Sequence, residues 1–518
     1  MSSSLRVAAV ASLLGLLGAF VDGCSLANVS VTSCAGDAQC AAAFGVGSTC
    51  ADGYCSQPMG CTSGHDCRRM VGGGACVNGA CVSQFPINAE CNAIVEPPDL
   101  LSKPLLGPGA PLVIGGIYAL QEDQDLQLTK AIRLAVREIN INGALNNGQK
   151  LGIVFCDNGG PGNMASGDAR VKRDAAAIDY LAGTLGAPYI VGPLTSSDSL
   201  NLVNELKAKS LPTVIISASA TSPSLTTLDD KLHPSDPVGL FWRTCPSDLL
   251  QANVLANHVI DPMTIKSVTV VFVNDAYGSG LQMAFSKDYV GTTAFVPYNA
   301  PLDPPGTMSG NTAAAVAKAA AKANSDAVLL IAVDGGTALQ ILQAMNGMAI
   351  QTKPFFFTDG SKDLALLKDT TPSIQALLAK AQGTAPATGN GTDYKSFAAD
   401  LSMTFGVDAS AYAYLAQAYD AAYVGALGTV LASKNGPKYD GIDVALGMTH
   451  LSAGVTADLG GGSGWSAAKG PLTMNGTVHV VGASGDLQFD PKTGDVPGGV
   501  AVWTVKPDFS GFVDGAVF

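Results

Sequence analysis

The sequence predicts an α/β protein of two parallel-sheet lobes, preceded by a small disulfide-rich module. From Leu112 onward, short apolar strands alternate with segments whose apolar residues recur at helical spacing. The strands are apolar on both faces, as strands are when helices cover a parallel sheet on each side, and they are too many for one modest sheet. Ahead of them, residues 34–81 carry a cysteine pattern twice.

The totals suit that reading. The chain has 518 residues, 47% of them hydrophobic and 14% charged, with a formal net charge of −13. This is more than one domain's length, and so little charge favours a well-buried body over disorder. An acidic surface repels phosphate backbones, and no Lys/Arg block offsets it, so nucleic acid is not an expected partner.

Taken in order, residues 1–23 read as an export signal. Arg6 precedes the uncharged apolar run "VAAVASLLGLLGAF" (7–20), which is short for a bilayer span. The next residues, "VDGC" (21–24), resemble a bacterial lipobox with Cys24 as the acylated residue, although Asp22 stands where a small uncharged residue is usual. A lipid on Cys24 would hold the protein to a membrane; the alternative is ordinary cleavage nearby with Cys24 a plain thiol. The stretch 414–432 is apolar but carries Gln417 and Asp420, and reads as a buried helix.

Residues 24–91 form the cysteine-rich module. Its units, 34–55 and 61–81, have corresponding cysteines 27, 27, 26 and 26 residues apart. Units this short cannot bury enough apolar surface to fold unaided, so cross-links are required. Disulfides within each unit are expected in an exported chain; zinc is the rival, with His65 nearby. Residues 92–111 contain five prolines and read as a stiff extended linker.

In the large domain, 112–518, ligands of such sheets bind beyond the carboxyl ends of the strands, where loops meet helix N-termini. Two neighbouring loops there are rich in hydroxyls: "GPLTSSDS" (192–199) after the strand 189–191, and "SASATSPS" (217–224) after the strand 212–216. Hydroxyls and unpaired N–H groups at a helix start suit a carboxylate. Helix capping by Ser196 or Ser197 would explain the first loop without any ligand.

These segments, with "AIRLAVREINING", "FWRTCPSD", "VFVNDAYGSGLQMAF", "DAVLLIAVDGG" and "FFFTDGS" in the same order, resemble the type I periplasmic solute-binding proteins, specifically the leucine/isoleucine/valine-binding branch that serves ABC importers. The resemblance runs from about Leu112 to the C-terminus. It implies a two-lobed type I periplasmic-binding-protein fold with three hinge crossovers, lobe I at about 112–243 and 385–480, lobe II at about 244–384 and 481–518. It also implies that Ser196 holds a ligand's α-carboxylate, joined by backbone groups of Ser219 and Ala220 and the Thr221 hydroxyl. Tyr277 would close over the ligand from the other lobe, and Asp359 would receive its ammonium. In relatives a disulfide joins a cysteine after the second strand to the residue before the key serine. Cys156 fits the first position but Thr195 fills the second, so the expectation carried over is Cys156–Cys245. The first loop, "YALQEDQD" (118–125), also departs from the family's short small-residue loop. Glu122, Asp123 and Asp125 either sit at the cleft mouth, favouring a polar or cationic ligand, or form a solvated surface loop.

The five histidines fall in no metal or triad spacing, and no nucleophile elbow, Walker loop or His-Glu-x-x-His occurs. The expectation is therefore a binding protein, not an enzyme, with no cofactor and no metal. Its place would be the periplasm or outer envelope of a Gram-negative bacterium, and its role to capture an amino acid or similar small polar solute for an ABC permease. A sensory or adhesion protein of the envelope is the alternative, and a binding domain that has lost its ligand site is a third.

Overall fold

The computed structural model describes residues 32–44, 48–56, 60–160, 167–389 and 391–518. The export segment and Cys24 lie outside the described residues. The chain divides into two compact units, 1–59 and 60–518, so the boundary falls between the two cysteine repeats.

Each repeat is a short helix and a β-hairpin held by two disulfides. In the first, the helix Asp37–Phe44 precedes β1 (Thr49–Ala51) and β2 (Tyr54–Ser56), with Cys34–Cys50 and Cys40–Cys55 bonded. The second pairs the helix Gly64–Val71 with β3 (Ala75–Val77) and β4 (Ala80–Val82), with Cys61–Cys76 and Cys67–Cys81 bonded. First-to-third and second-to-fourth pairing in both units meets the expectation of cross-links within each repeat.

The large unit holds two sheets. In lobe I, β6 (Leu112–Tyr118), β7 (Leu151–Asp157), β8 (Tyr189–Val191), β9 (Val214–Ser217) and β10 (Phe241–Arg243) are parallel, and β5 (Ile94–Glu96) adds to the edge antiparallel to β7; the order is β10-β9-β8-β6-β7-β5. In lobe II, β11 (Ser267–Val273), β12 (Thr292–Tyr298), β13 (Ala327–Ile331), β14 (Phe355–Phe357) and β15 (Gln382–Pro386) are parallel. They are followed by antiparallel β19 (Val500–Val505) and β20 (Phe512–Val517), in the order β12-β11-β13-β14-β15-β19-β20. A small sheet of β16 (Val455–Asp458), β17 (Val478–Gly482) and β18 (Gly485–Asp486) packs on the lobe I core. Strands of β6, β9 and β13 are buried along their whole length, as sheets covered on both faces require.

The chain crosses between lobes three times, after β10, after β15, and between Val496, in the lobe I core, and β19. The last crossing comes later than the expected position 481, because Leu487, Phe489 and Val496 stay packed in lobe I. The helix Leu415–Ala432 is buried from Leu415 through Leu431, matching the expectation for 414–432. No helix among the described residues is long and apolar enough to cross a membrane.

Two expectations are corrected. The segment 92–111 is not an extended linker: β5 pairs with β7, Leu100 and Leu105 are buried, and the buried Glu96 carboxylate meets Arg137 at 2.8 Å and Arg133 at 3.3 Å. Its apolar residues find a hydrophobic seat that outweighs the extended preference of the prolines, all of which fall outside β5. Nor does Cys156 pair with Cys245. It bonds Cys91, which lies beside it where the chain enters β5, while Cys245 is a buried free thiol. Cys245 follows β10, and β9, β8 and β6 intervene before β7. At about 4.8 Å per strand that is roughly 19 Å, far beyond disulfide reach.

Candidate functional site

Between the lobes lies a cleft with about 390 Å³ of empty space, partly continuous with solvent. From lobe I it is lined by Gln124, Leu194, Thr195, Ser196, Ser219 and Tyr414, and from lobe II by Asp275, Tyr277, Val333, Asp359 and Gly360. The loops past β8, β9, β11, β13 and β14 build most of it, at the carboxyl ends of the strands, where the helices that follow leave their first backbone N–H groups unpaired.

The helix Ser196–Lys209 opens onto this cleft. Its cap is Thr195, whose hydroxyl accepts from the Asp198 N–H at 3.1 Å, so neither Ser196 nor Ser197 is spent on capping. The Ser196 Oγ accepts from the Ser222 N–H at 3.1 Å, which leaves its own hydrogen to donate. The Ser197 Oγ accepts from the Ala276 N–H of lobe II at 3.1 Å, and the Ser222 hydroxyl donates to the Ala276 carbonyl at 2.8 Å. These two bonds hold the lobes together along one edge of the cleft.

The second hydroxyl-rich loop is mainly self-satisfied. The Ser217 Oγ accepts from the N–H groups of Ser219 (3.3 Å) and Ala220 (3.0 Å), and the Ser219 hydroxyl donates to the Leu194 carbonyl at 2.7 Å. Arg243, fully buried, fixes the loop: its guanidinium donates to the carbonyls of Ala220 (2.9 Å) and Ser222 (3.1 Å) and to the Asp495 carboxylate at 2.6 Å. Thus Ser219 reaches the cleft wall, whereas Ala220 and Thr221 do not line it. The Thr221 hydroxyl is buried beside the Asp248 carboxylate.

On the opposite wall, Asp359 is buried and gathers three neutral donors. Its Oδ1 accepts from Tyr277 and Gln251, each at 2.8 Å, and its Oδ2 from Tyr414 at 2.5 Å. Tyr414 packs in the lobe I core, so this last bond spans the two lobes. Burial raises the Asp359 carboxyl above the ordinary range, and the three hydrogen bonds pull it back in part. Asp248, on the helix that also carries Gln251, is raised well above its ordinary value by burial and then by the charge of Asp359. Burial, with the same carboxylate next, pushes up the Tyr277 and Tyr414 hydroxyls, so both stay neutral donors.

Of the residues expected from sequence, Ser196, Ser219, Tyr277 and Asp359 come together around one cleft. The acidic first loop is divided. Asp125 turns inward, accepting from the Ala119 N–H at 2.6 Å, and Asp123 meets the Tyr412 hydroxyl at 2.6 Å, while Gln124 between them faces the cleft. Sequence reasoning missed Gln124, Thr195, Asp275 and Tyr414. Asp275 and Gln124 each sit at a helix start after a strand, the placement that singled out Ser196, and that signal could have found them. Tyr414, with φ of 71° just before a long helix, gave none.

Comparison with known proteins agrees with the two-lobed fold. The family model described as "Receptor family ligand binding region" matches residues 127–508. A Leu/Ile/Val-binding protein homolog 3 from Brucella melitensis biotype 1 is 29% identical over 159 residues, 31% of this chain and 38% of that protein. The chemotactic signal transduction system substrate-binding protein BasB of Halobacterium salinarum is 30% identical over 209 residues, 39% of this chain and 44% of that protein. The aligned stretches therefore span less than half the length of these relatives. The solved leucine binding protein LivK of Thermotoga maritima superposes with a TM-score of 0.58 at 17% identity, covering 79% of this chain and 98% of that one, and so shares its two-lobed type I periplasmic-binding-protein fold. Since the family match runs through both lobes and all three crossings, the chain belongs to the family of receptor ligand-binding regions.

Proposed function

We propose that this protein is an extracytoplasmic receptor that captures an amino acid, or a similar small polar solute, for an ABC-type importer. The observation that carries the reading is the polarity of the cleft. One wall presents a free Ser196 O–H at a helix start; the other presents the buried Asp359 carboxylate. A zwitterion leaving water needs partners for both charges, neutral dipoles for its acid end and an anion for its ammonium. Asp359 accepts from residues of both lobes, so a ligand that engages it stabilises the joined state. Leu/Ile/Val-binding relatives support the solute class. The chemotactic relative favours a second reading, in which the same capture reports to a signalling partner.

The test is a thermal-shift and calorimetric screen of L-amino acids beside their decarboxylated and deaminated analogues. Intact amino acids are expected to raise the melting temperature in a concentration-dependent way, and each truncated analogue to lose most of the effect. Absence of any shift with every amino acid overturns the proposal. Co-purification with a permease, or with a signalling receptor, separates the two readings.

A further inference from the structure

We propose that Asp248 is a proton store behind the cleft: it carries a proton while the cleft is empty and gives it up when an ammonium group docks on Asp359. Capturing an amino acid then expels a proton. This rests on the amino-acid reading above and adds to it a residue that lies behind the cleft wall and not on it. Asp248 and Asp359 are both buried in lobe II. Asp248 opens the helix Asp248–Val254, and Gln251, one turn along it, donates to Asp359 at 2.8 Å. Neighbouring carboxylates in a dry interior repel one another, so one of the two keeps a proton.

Hydrogen bonds decide which of them keeps it. Asp359 accepts from Tyr277, Gln251 and Tyr414, and three donors stabilise an anion. Asp248 has no such support. Apart from the Thr221 hydroxyl beside it, no donor reaches either of its oxygens. The Thr221 Oγ and, one helical turn away, the Gln251 Oε1 are buried acceptors that receive no hydrogen bond. A protonated Asp248 has a hydrogen to give in such surroundings, whereas an ionised one adds a buried charge without partners.

The charges around Asp248 agree. Asp359 faces it from the loop past β14, and Asp275 and the neutral Tyr277 from the start of the helix Ala276–Asp288. Arg243 and the neutral Cys245 thiol face it from β10 and its loop, while β15 and β19 carry no charged residue. Arg243 is the one cation among these groups, and it is spent on Asp495 at 2.6 Å and on the carbonyls of Ala220 and Ser222. An ammonium on Asp359 cancels the like charge that holds the proton in place. The ligand's acid end lies at the helix start of Ser196, where neutral dipoles receive it. The Asp248 O–H bond then breaks, its electron pair stays on the carboxylate, and the proton leaves to water. By linkage, affinity rises with pH wherever the empty protein holds this proton and the occupied protein does not.

The experiment titrates the full-length protein by calorimetry with L-leucine and with every other L-amino acid that raises its melting temperature. Each titration is run in phosphate and in Tris, whose ionisation heats differ, so the difference in observed heat counts protons. At about pH 7 the expected result is release of about half a proton to one proton per bound amino acid. A free amino acid is zwitterionic there and supplies none of it. Affinity should rise about threefold to tenfold per pH unit around that point. Asp248→Asn copies the protonated carboxyl. It should keep the melting temperature of the ligand-free protein, still bind, and lose most of the proton release and of the pH dependence. No release, or proton uptake, in the unaltered protein overturns this inference while amino-acid capture stands. Undiminished release in Asp248→Asn overturns it too. If no amino acid binds at all, the proposed function itself fails.

Discussion

Asp359 is where the two lobes meet at the level of single atoms. Tyr277 and Gln251 approach it within lobe II, and Tyr414 reaches it from lobe I. The carboxylate is acceptor-only, so it satisfies three donors at once and still offers charge to an incoming ammonium. Asp359→Asn puts an N–H2 where one or two donors already point and removes the charge. Amino-acid affinity is expected to fall on the order of tenfold to a hundredfold by calorimetry, the worth of one buried charged hydrogen bond. The fold should survive, because the change also removes the like charge that raises Asp248. At this scale the sequence was legible in its hydroxyl-rich loops past two strands, and the family resemblance carried the expectation to Ser196, Ser219, Tyr277 and Asp359. It was not legible for Ala220, whose N–H goes to the Ser217 hydroxyl in the same loop. Nothing in the residue types shows which of several neighbouring donors is already occupied.

Among the elements, the second cysteine repeat behaves as part of lobe I. Its helix Gly64–Val71 lies so close to the turn at Gly186 that a Cβ on Gly64 would fall 2.3 Å from the Gly186 nitrogen. The neutral His65 donates from Nε2 to the Thr213 hydroxyl at 2.9 Å, since that hydroxyl itself donates to the Ala187 carbonyl. Arg68 donates to the Gly186 carbonyl at 3.0 Å and stacks over Tyr439, and Arg69 pairs with Asp440. The Cys91–Cys156 bond closes the far end of this attachment across a sequence separation of 65 residues. Loop-closure entropy sets its contribution at about 4 kcal/mol in the chain-entropy model. Cys91→Ser is expected to lower the melting temperature of the large unit and to open residues 83–92 to limited proteolysis, while Cys245→Ser, at a free thiol, should not produce new cleavage there. An unchanged cleavage pattern in Cys91→Ser would show that the packed helix and β5 suffice alone. The repeats were readable from spacing. That one of them is welded to the sheet was not, because its hydrogen bonds and ion pair join residues more than 100 positions apart.

For the molecule as a whole, buried carboxylates decide how stability follows pH. Burial pushes Asp125, Glu138, Asp174, Asp363 and Asp420 up to about 7. Unfolded, each titrates near its ordinary value around 4. Between those values the folded state holds protons that the unfolded state has released, so stability rises as pH falls from about 7 toward 4. His65 acts in the opposite sense. Its pKa is held down at about 3 by burial and then by Arg68 and Arg69, so its contribution is complete above about 6.5 and is lost as pH falls below that. Five groups against one predict a higher melting temperature at pH 5 than at pH 8, measurable by calorimetry of the ligand-free protein. A flat or reversed profile would mean that water or ions reach these carboxylates.

The sequence by itself determined the architecture: two parallel-sheet lobes, paired cysteine repeats, and hydroxyl-rich loops at the strand ends. These follow from periodicity, composition and local spacing, which are properties of neighbouring residues. Only the tertiary structure decided the partner of Cys156, the fate of the proline-rich segment and the position of the third crossing. It alone showed that Gln124, Asp275 and Tyr414 share one cleft with Ser196 and Asp359. Each of those depends on which distant surfaces bury one another, and burial is set by the whole packed chain, not by any window of it.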